Sequence, residues 1–322
     1  MNKICIIGVY FGKLPNYFPL WLQSCYNNPA VDFLLFTDND IAVNNNVTCC
    51  PMTLSEMRER ASKVLGFEAC LNRPYKCCDY KVIYGLIFAD YLQQYDYWGH
   101  CDFDLIFGDL IAFFDKYNLY KYDHFLALGH LSLYKNTKEV NERYKCTGAS
   151  ADYKTVYSSD KIYVFDEMPG MTAIYLKNGF SIFTKRVFAD ISPIYYRFTL
   201  SQYYYLDKKI KNYKFQTFFC ENGKIYREYI LNGKLYKEEY LYIHFQKRPN
   251  FELTFDPTKT NAFYITNKGF AEKRGETNKK IIKELNAYPG VGVEFFEWLK
   301  RKTQQYINAI SRRLKRLLGK VK

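Results

Sequence analysis

The chain opens on an apolar run, Ile4-Cys5-Ile6-Ile7-Gly8-Val9, that gives way to Tyr10-Phe11-Gly12. A strand buried on both faces reads this way, whereas a strand with one wet face alternates. Leu20-Trp21-Leu22 through Cys25 predicts a helix that Pro29 stops. Val31-Asp32-Phe33-Leu34-Leu35-Phe36 predicts a second strand, closed by Thr37-Asp38-Asn39-Asp40. Strand, helix and strand at this spacing make a βαβ unit. The expected fold class is therefore α/β, a mostly parallel sheet with helices on both faces.

Further along, Met52 to Ala69 predicts a helix, and Tyr75 to Tyr95 a second, with Val82, Leu86, Ile87 and Tyr91 at helical spacing. Tyr97-Trp98-Gly99-His100-Cys101 reads as an aromatic-rich strand that leads into Asp102-Phe103-Asp104, and Leu105-Ile106-Phe107 as an apolar strand after it. A helix is expected near Leu110 to Tyr117 and a short strand at His124 to Leu128. Residues 130–160 are polar and irregular, which predicts an insertion or lid. Lys161 to Phe165 reads as a strand ending at Asp166-Glu167. Asn222-Gly223-Lys224-Ile225-Tyr226-Arg227-Glu228 is echoed by Asn232-Gly233-Lys234-Leu235-Tyr236-Lys237-Glu238. Each Asn-Gly signals a type I′ turn, so the pair predicts a β-meander. Leu241 to Phe245 predicts one more strand. With no Pro/Gly/Ser linker, a single catalytic domain over 1–296 followed by a segment 297–322 is the simplest division.

Charge changes the picture at one end. The formal net charge is +13, and nine Lys and Arg with no acid lie between Leu299 and Lys322, leaving +4 for the rest. Trp298, Leu299, Tyr306, Ile310, Leu314, Leu317, Leu318 and Val321 recur there at three- and four-residue steps. A basic amphipathic helix of this kind lies on an anionic membrane surface, or packs on protein. No nucleic-acid recognition motif accompanies it, so nucleic acid is not an expected partner. The 10 Cys include the adjacent pairs Cys49-Cys50 and Cys77-Cys78 and no C-x-x-C. That argues for reduced thiols in a cytoplasmic protein. No apolar run approaches membrane-spanning length, and the N-terminus lacks the features of a secretory signal. The 32 Tyr and 26 Phe can line a sugar-binding cleft, or reflect a proteome rich in Tyr, Lys and Asn.

The chemistry centres on Asp102-Phe103-Asp104. Residues two apart on a strand point to one side, so both carboxylates can reach one hard cation. Ligands of open α/β sheets bind beyond the carboxyl ends of the strands. Arg73, Lys76, Asp79 and Lys81 stand at the start of the helix that delivers the chain to Asp102. They suit a diphosphate or sugar hydroxyls, or are a solvated face. His244 precedes Lys247 and Arg248. Its imidazole can be a third metal ligand, and either cation can neutralise phosphate. Asp166-Glu167 stands before Pro169-Gly170. One of these carboxylates can orient an acceptor hydroxyl or take its proton, or Asp166 can cap a helix.

Tyr97 to Asp104, following a Lys/Asp-bearing helix, resembles bacterial GT-A glycosyltransferases of polysaccharide biosynthesis. His244-Phe245-Gln246-Lys247 is similar to the late His and Lys of the retaining sugar transferases that modify lipopolysaccharide and glycogenin, without the glycine those enzymes carry between the two. The resemblance covers residues 1 to 250 in motif order and spacing. It implies a GT-A fold and transfer from a nucleotide-sugar, foremost a UDP-sugar, to a glycan or lipid-linked glycan. It implies Mn2+ or Mg2+ on Asp102, Asp104 and His244, with Lys247 on the diphosphate. Val9, Tyr10, Phe11, Gly12 and Asp38 would hold the nucleoside, and 297–322 the inner face of the membrane. Two rivals stand beside it: a metal-dependent nucleotidyltransferase or phosphohydrolase, which commonly has a Gly-rich phosphate loop not found here, and a non-catalytic carbohydrate-binding protein.

Overall fold

A computed structural model describes residues 2–193, 195, 197–202, 210–246 and 251–286, with isolated positions between 296 and 307. Lys247 and most of 297–322 lie outside the described residues. The chain divides into two compact units, Met1–Phe188 with Leu241–His244, and Ala189–Tyr240 with Phe245–Lys322.

The first unit begins as its hydrophobic pattern predicts: β1 (Ile4–Tyr10), α1 (Phe18–Tyr26), β2 (Asp32–Thr37), β3 (Val47–Pro51) and α2 (Leu54–Leu65). A reciprocal capping box fixes the start of α2. Thr53 N donates to Glu56 Oε2 at 2.7 Å, and Glu56 N to Thr53 Oγ1 at 3.2 Å. Gly66, at φ 75°, ends it. Next come α3 (Cys77–Tyr80), α4 (Tyr84–Ile87), β4 (Tyr97–Cys101), β5 (Leu105–Phe107), α5 (Leu110–Lys116), β6 (His124–Leu128) and β7 (Leu131–Lys135). Then follow α6 (Lys138–Glu142), α7 (Tyr153–Tyr157), α8 (Met171–Asn178) and β8 (Ile182–Phe183). The seven-stranded sheet runs β3-β2-β1-β4-β7-β6-β8. β1 to β4 are parallel, and β7 runs antiparallel to both β4 and β6. The order 3-2-1-4 reverses direction between β1 and β4. This is a Rossmann-like α/β arrangement, and its crevice lies beyond the carboxyl ends of those two strands.

Four expectations are corrected. Tyr75 to Tyr95 is not one helix: single 3-10 turns at Pro74–Lys76 and Lys81–Ile83 alternate with the one-turn helices α3 and α4. Lys76, Asp79, Lys81, Val82, Ile83 and Tyr84 are all buried, so the polar positions of this stretch do not form a solvent face and tertiary packing overrides the 3.6 period. Residues 130–160 are not a lid. β7 is an interior strand, and Leu131, Leu133 and Tyr134 are core. Lys161 to Phe165 is not a strand, because a side chain takes the place of a ladder: Asp79 accepts from Tyr163 N at 3.0 Å and from Phe165 N at 2.9 Å. Asp102-Phe103-Asp104 lies between two strands as expected, β4 and β5, but it is a turn, so strand alternation does not set its two carboxylates.

The second unit contains β9 (Ala189–Asp190), β10 (Gln216–Glu221), β11 (Lys224–Leu231) and β12 (Lys234–Tyr240). The chain then supplies β13 (Tyr242–His244) to the first unit, before β14 (Glu252–Leu253), β15 (Ala262–Thr266), β16 (Gly269–Glu272) and α9 (Lys279–Leu285). The meander is present as β10-β11-β12, inside a sheet ordered β12-β11-β10-β15-β16-β14. Positive φ at Asn222 (52°), Gly223 (70°), Asn232 (49°) and Gly233 (72°) is the type I′ signature. Among the described residues, no helix is long and apolar enough to cross a membrane.

Candidate active site

Phe103 explains why two aspartates flank it. Its ring packs on Trp21 at 4.7 Å, on the edge of Tyr10 at 5.1 Å and on Phe18 at 6.1 Å. It also lies over Gly8, where a Cβ would come within 2.8 Å of Phe103 Cζ. The bare backbone of β1 thus admits the ring, and the ring anchors the turn. β13 pairs antiparallel with β5, setting His244 opposite Leu105. His244 Nε2 stands 3.4 Å from Asp104 Oδ1. One ligand atom each from Asp102, Asp104 and His244 lies within 4.8 Å of the others. Ligands at roughly 2.1 to 2.3 Å from one ion lie roughly 3 Å apart when adjacent and 4 to 4.5 Å apart when opposite. The three side chains suit a single divalent ion in donor chemistry, and their ligand atoms are close to the spacing one ion spans.

Lys81 is the cation beside them. Its Nζ reaches Asp102 Oδ1 at 2.7 Å, Asp166 Oδ2 at 3.0 Å and the carbonyl of Gly129 at 2.9 Å. All three ammonium donors therefore have partners, and Lys81 is a strut rather than a free phosphate clamp. Burial favours the neutral amine, but Asp102 and Asp166 outweigh it and hold Lys81 well above the ordinary lysine value. Burial raises the Asp166 carboxyl, since a single ammonium shared by two acids compensates only part of the lost hydration. Asp166 Oδ1 has no hydrogen-bond partner among the described residues. Glu167 is pushed up to about 7, first by burial, then by Asp166. Gly129 makes room for the acids, since a Cβ there would sit 2.2 Å from Asp166 Oδ2. Asp166 caps nothing: Gly170 precedes α8, without a side-chain cap.

The loops after β1 and β2 are tied together next to this turn. Gly12, at φ 90°, donates its N–H to Asp38 Oδ1 at 2.8 Å, and Asn39 Nδ2 donates to the Gly12 carbonyl at 2.8 Å. Val9 and Tyr10 are half-buried, Phe11 is buried, and Gly12 and Asp38 are exposed.

The remaining basic-helix residues stand elsewhere. Lys76 and Asp79 form a fully buried pair at 2.8 Å. Lys76 also donates to the carbonyls of Val156 and Lys161, at 2.9 and 2.6 Å, so the pair holds the 161–165 segment and offers nothing to a ligand. Arg73 is exposed and donates to the Asp160 carbonyl at 2.8 Å. Of the four, only Lys81 reaches the acids.

Sequence reasoning missed several neighbours. Burial, then Asp104, Tyr10 and Asp102, raise the Tyr17 phenol. Tyr75, 65% exposed, stands within reach of the Asp102 and Asp166 charges. His130 was missed as well, although Gly-His at the exit of the predicted strand 124–128 was a signal.

The fold and this cluster together define a Rossmann-like α/β protein with an acid–imidazole site at the switch point of its sheet. The chain belongs to a family of unknown function, DUF6625, whose sequence profile matches residues 6–274. No curated protein matches it.

Proposed function

We propose that this protein is a metal-dependent glycosyltransferase of the GT-A type, moving a sugar from a nucleotide-sugar, foremost a UDP-sugar, to a glycan or lipid-linked glycan. The observation that carries the reading is the convergence of Asp102, Asp104 and His244 at the switch point, with Lys81, Asp166 and Glu167 beside them. Asp102, Asp104 and His244 would hold Mn2+ or Mg2+, which when bound acts as a Lewis acid toward the leaving diphosphate. Val9 to Gly12 and Asp38 would contact the nucleoside, and Lys247 the diphosphate, the latter on the resemblance alone.

Lys81 keeps its proton and neutralises part of the charge on Asp102 and Asp166, so that neither acid swings toward the donor. Glu167, raised to about 7, is matched to accept the proton of an acceptor hydroxyl near neutral pH. In an inverting transfer the hydroxyl oxygen bonds to the anomeric carbon, the carbon–oxygen bond to phosphate breaks, and Glu167 takes the proton. In a retaining transfer Asp166 and Glu167 position the substrates. The basic segment 297–322 would hold the enzyme on the cytoplasmic face of an anionic membrane.

The test is thermal stability with a panel of nucleotide-sugars, with and without Mn2+. A ligand that binds only the folded state raises its unfolding temperature. A shift that requires both sugar nucleotide and metal, and that Asp104→Ala abolishes while the metal-free fold persists, is the expected result. No shift with any donor would sink the proposal, and release of the nucleotide without sugar transfer to any acceptor would favour a hydrolase.

A further inference from the structure

His130 lies in the turn between β6 and β7 and is 3% exposed. It touches both segments that carry the proposed ligands. Its carbonyl accepts the N–H of Asp102 at 2.9 Å. Its ring stacks on that of His244, with centroids 4.4 Å apart and planes 24° from parallel. The His130 ring is itself gripped. Its Nδ1 is 2.9 Å from the Tyr242 hydroxyl, and Phe188 and Tyr242 meet it edge to face at 5.2 and 5.4 Å. Phe188 and Tyr242 in turn stack on each other at 5.0 Å.

We infer that His130 is a positioning residue for the metal site: its stacked ring fixes the plane of His244, so that Nε2 faces Asp104, while its backbone holds Asp102. The inference rests on the metal reading of Asp102, Asp104 and His244. A histidine ring turns readily about its last side-chain bond, where the torsional wells are broad. β13 is only three residues long, with His244 at its end, so the backbone alone constrains the ring weakly. The stack removes that freedom. It also bears on whether His130 joins the same ion. Imidazole lone pairs lie in the ring plane. The two ring planes lie 24° from parallel, with centroids 4.4 Å apart. The role assigned to His130 is to orient His244; a ring nitrogen of His130 also lies within 4.8 Å of one of His244, so ligation by His130 is the rival that the nitrogen count decides. Partners of this kind, one step removed from the ion, typically change metal affinity about 10- to 100-fold.

The experiment uses the full chain and Mn2+ alone, with affinity from electron paramagnetic resonance titration and coordinated nitrogen from pulsed resonance. Wild type should show one imidazole nitrogen, lost in His244→Ala. His130→Ala should weaken Mn2+ binding by about 10-fold or more. His130→Phe keeps a flat ring without a nitrogen, so it should stay within a few-fold of wild type and retain the nitrogen signal. Tyr242→Phe removes only the hydroxyl that holds His130, and should cost a smaller factor in the same direction. Unchanged affinity in His130→Ala overturns the inference. So does His130→Phe losing as much as His130→Ala, or wild type showing two nitrogens of which His130→Phe lacks one, since His130 would then be a ligand. If His130→Ala does not fold, the Phe variants decide: a 10-fold loss in His130→Phe, or no loss in Tyr242→Phe, overturns it. Failure of the wild type to bind Mn2+ removes the metal reading itself, a separate result from loss of His130's role.

Discussion

Replacing Glu167 with Gln isolates the most informative titration in the site. In the folded protein burial, then Asp166, raise this carboxyl to about 7 from an ordinary 4.5. The folded state therefore holds the proton more tightly than the unfolded chain does. The contribution to stability is complete below pH 4.5 and is lost as the pH rises through 7. Across that interval, at about 1.36 kcal/mol per pH unit, the full loss is about 3 kcal/mol. Gln has no proton to give up, so the variant should lack this component. The assay is urea unfolding of metal-free protein at pH 4.5 and pH 8, followed by the emission of Trp21 and Trp98, both buried in the first unit. Titrations at sites remote from Glu167 occur in both proteins and cancel in the difference, whereas Asp166, which shares its field, shifts with it. Glu167→Gln should gain about 2 to 3 kcal/mol on wild type between the two pH values. Parallel pH profiles would show that Glu167 titrates as an ordinary surface carboxyl, and the argument for a proton acceptor tuned to neutral pH would fall with it.

Lys81→Met should destabilise the first unit by about 3 to 5 kcal/mol, because it leaves Asp166 buried without its counter-charge. Asp166→Asn in the same chain should recover part of the loss in a double-mutant unfolding cycle, and strict additivity would refute the pairing. Gly8→Ala should cost about 1 to 3 kcal/mol, since its methyl meets the Phe103 ring. It should also weaken Mn2+ binding, and unaltered binding would show that Phe103 does not set the turn.

The elements that were legible in the sequence are those whose cause is local. β1 and β2 are buried on both faces and read as unbroken apolar runs, and the Asn-Gly turns read because only a few residues tolerate their φ. The errors gather where a polar side chain points inward. Lys76, Asp79 and Lys81 look like one wet face of a helix, yet each is buried against chain from beyond residue 125. The same Asp79 keeps 161–165 out of any ladder by satisfying its N–H groups. β7 looked polar because of Ser132, whose hydroxyl donates to the Leu128 carbonyl at 2.9 Å inside the sheet. Asp102 and Asp104 could be picked out from spacing and order, but by the wrong route. They converge because Phe103 is buried in a turn, not because a strand alternates. Nothing local marks the His130–His244 stack, which joins residues more than a hundred positions apart.

The balance of charge says why a cation belongs in this site before an anionic donor does. Among the described residues, Asp102, Asp104, Asp166 and Glu167 are gathered around the Lys81 ammonium and the His244 imidazole, on which the His130 ring stacks. Lys81 has no donor left to offer a phosphate. A diphosphate approaching the acids alone meets like charge in a partly desolvated setting, where repulsion is stronger than in water. A divalent ion reverses the sign at the one place where Asp102, Asp104 and His244 can share it. Metal and sugar nucleotide should therefore stabilise the protein together by more than the sum of their separate effects. Equal shifts from the nucleotide with and without Mn2+ would show that other cations already do that work, and that the acid cluster serves the acceptor alone.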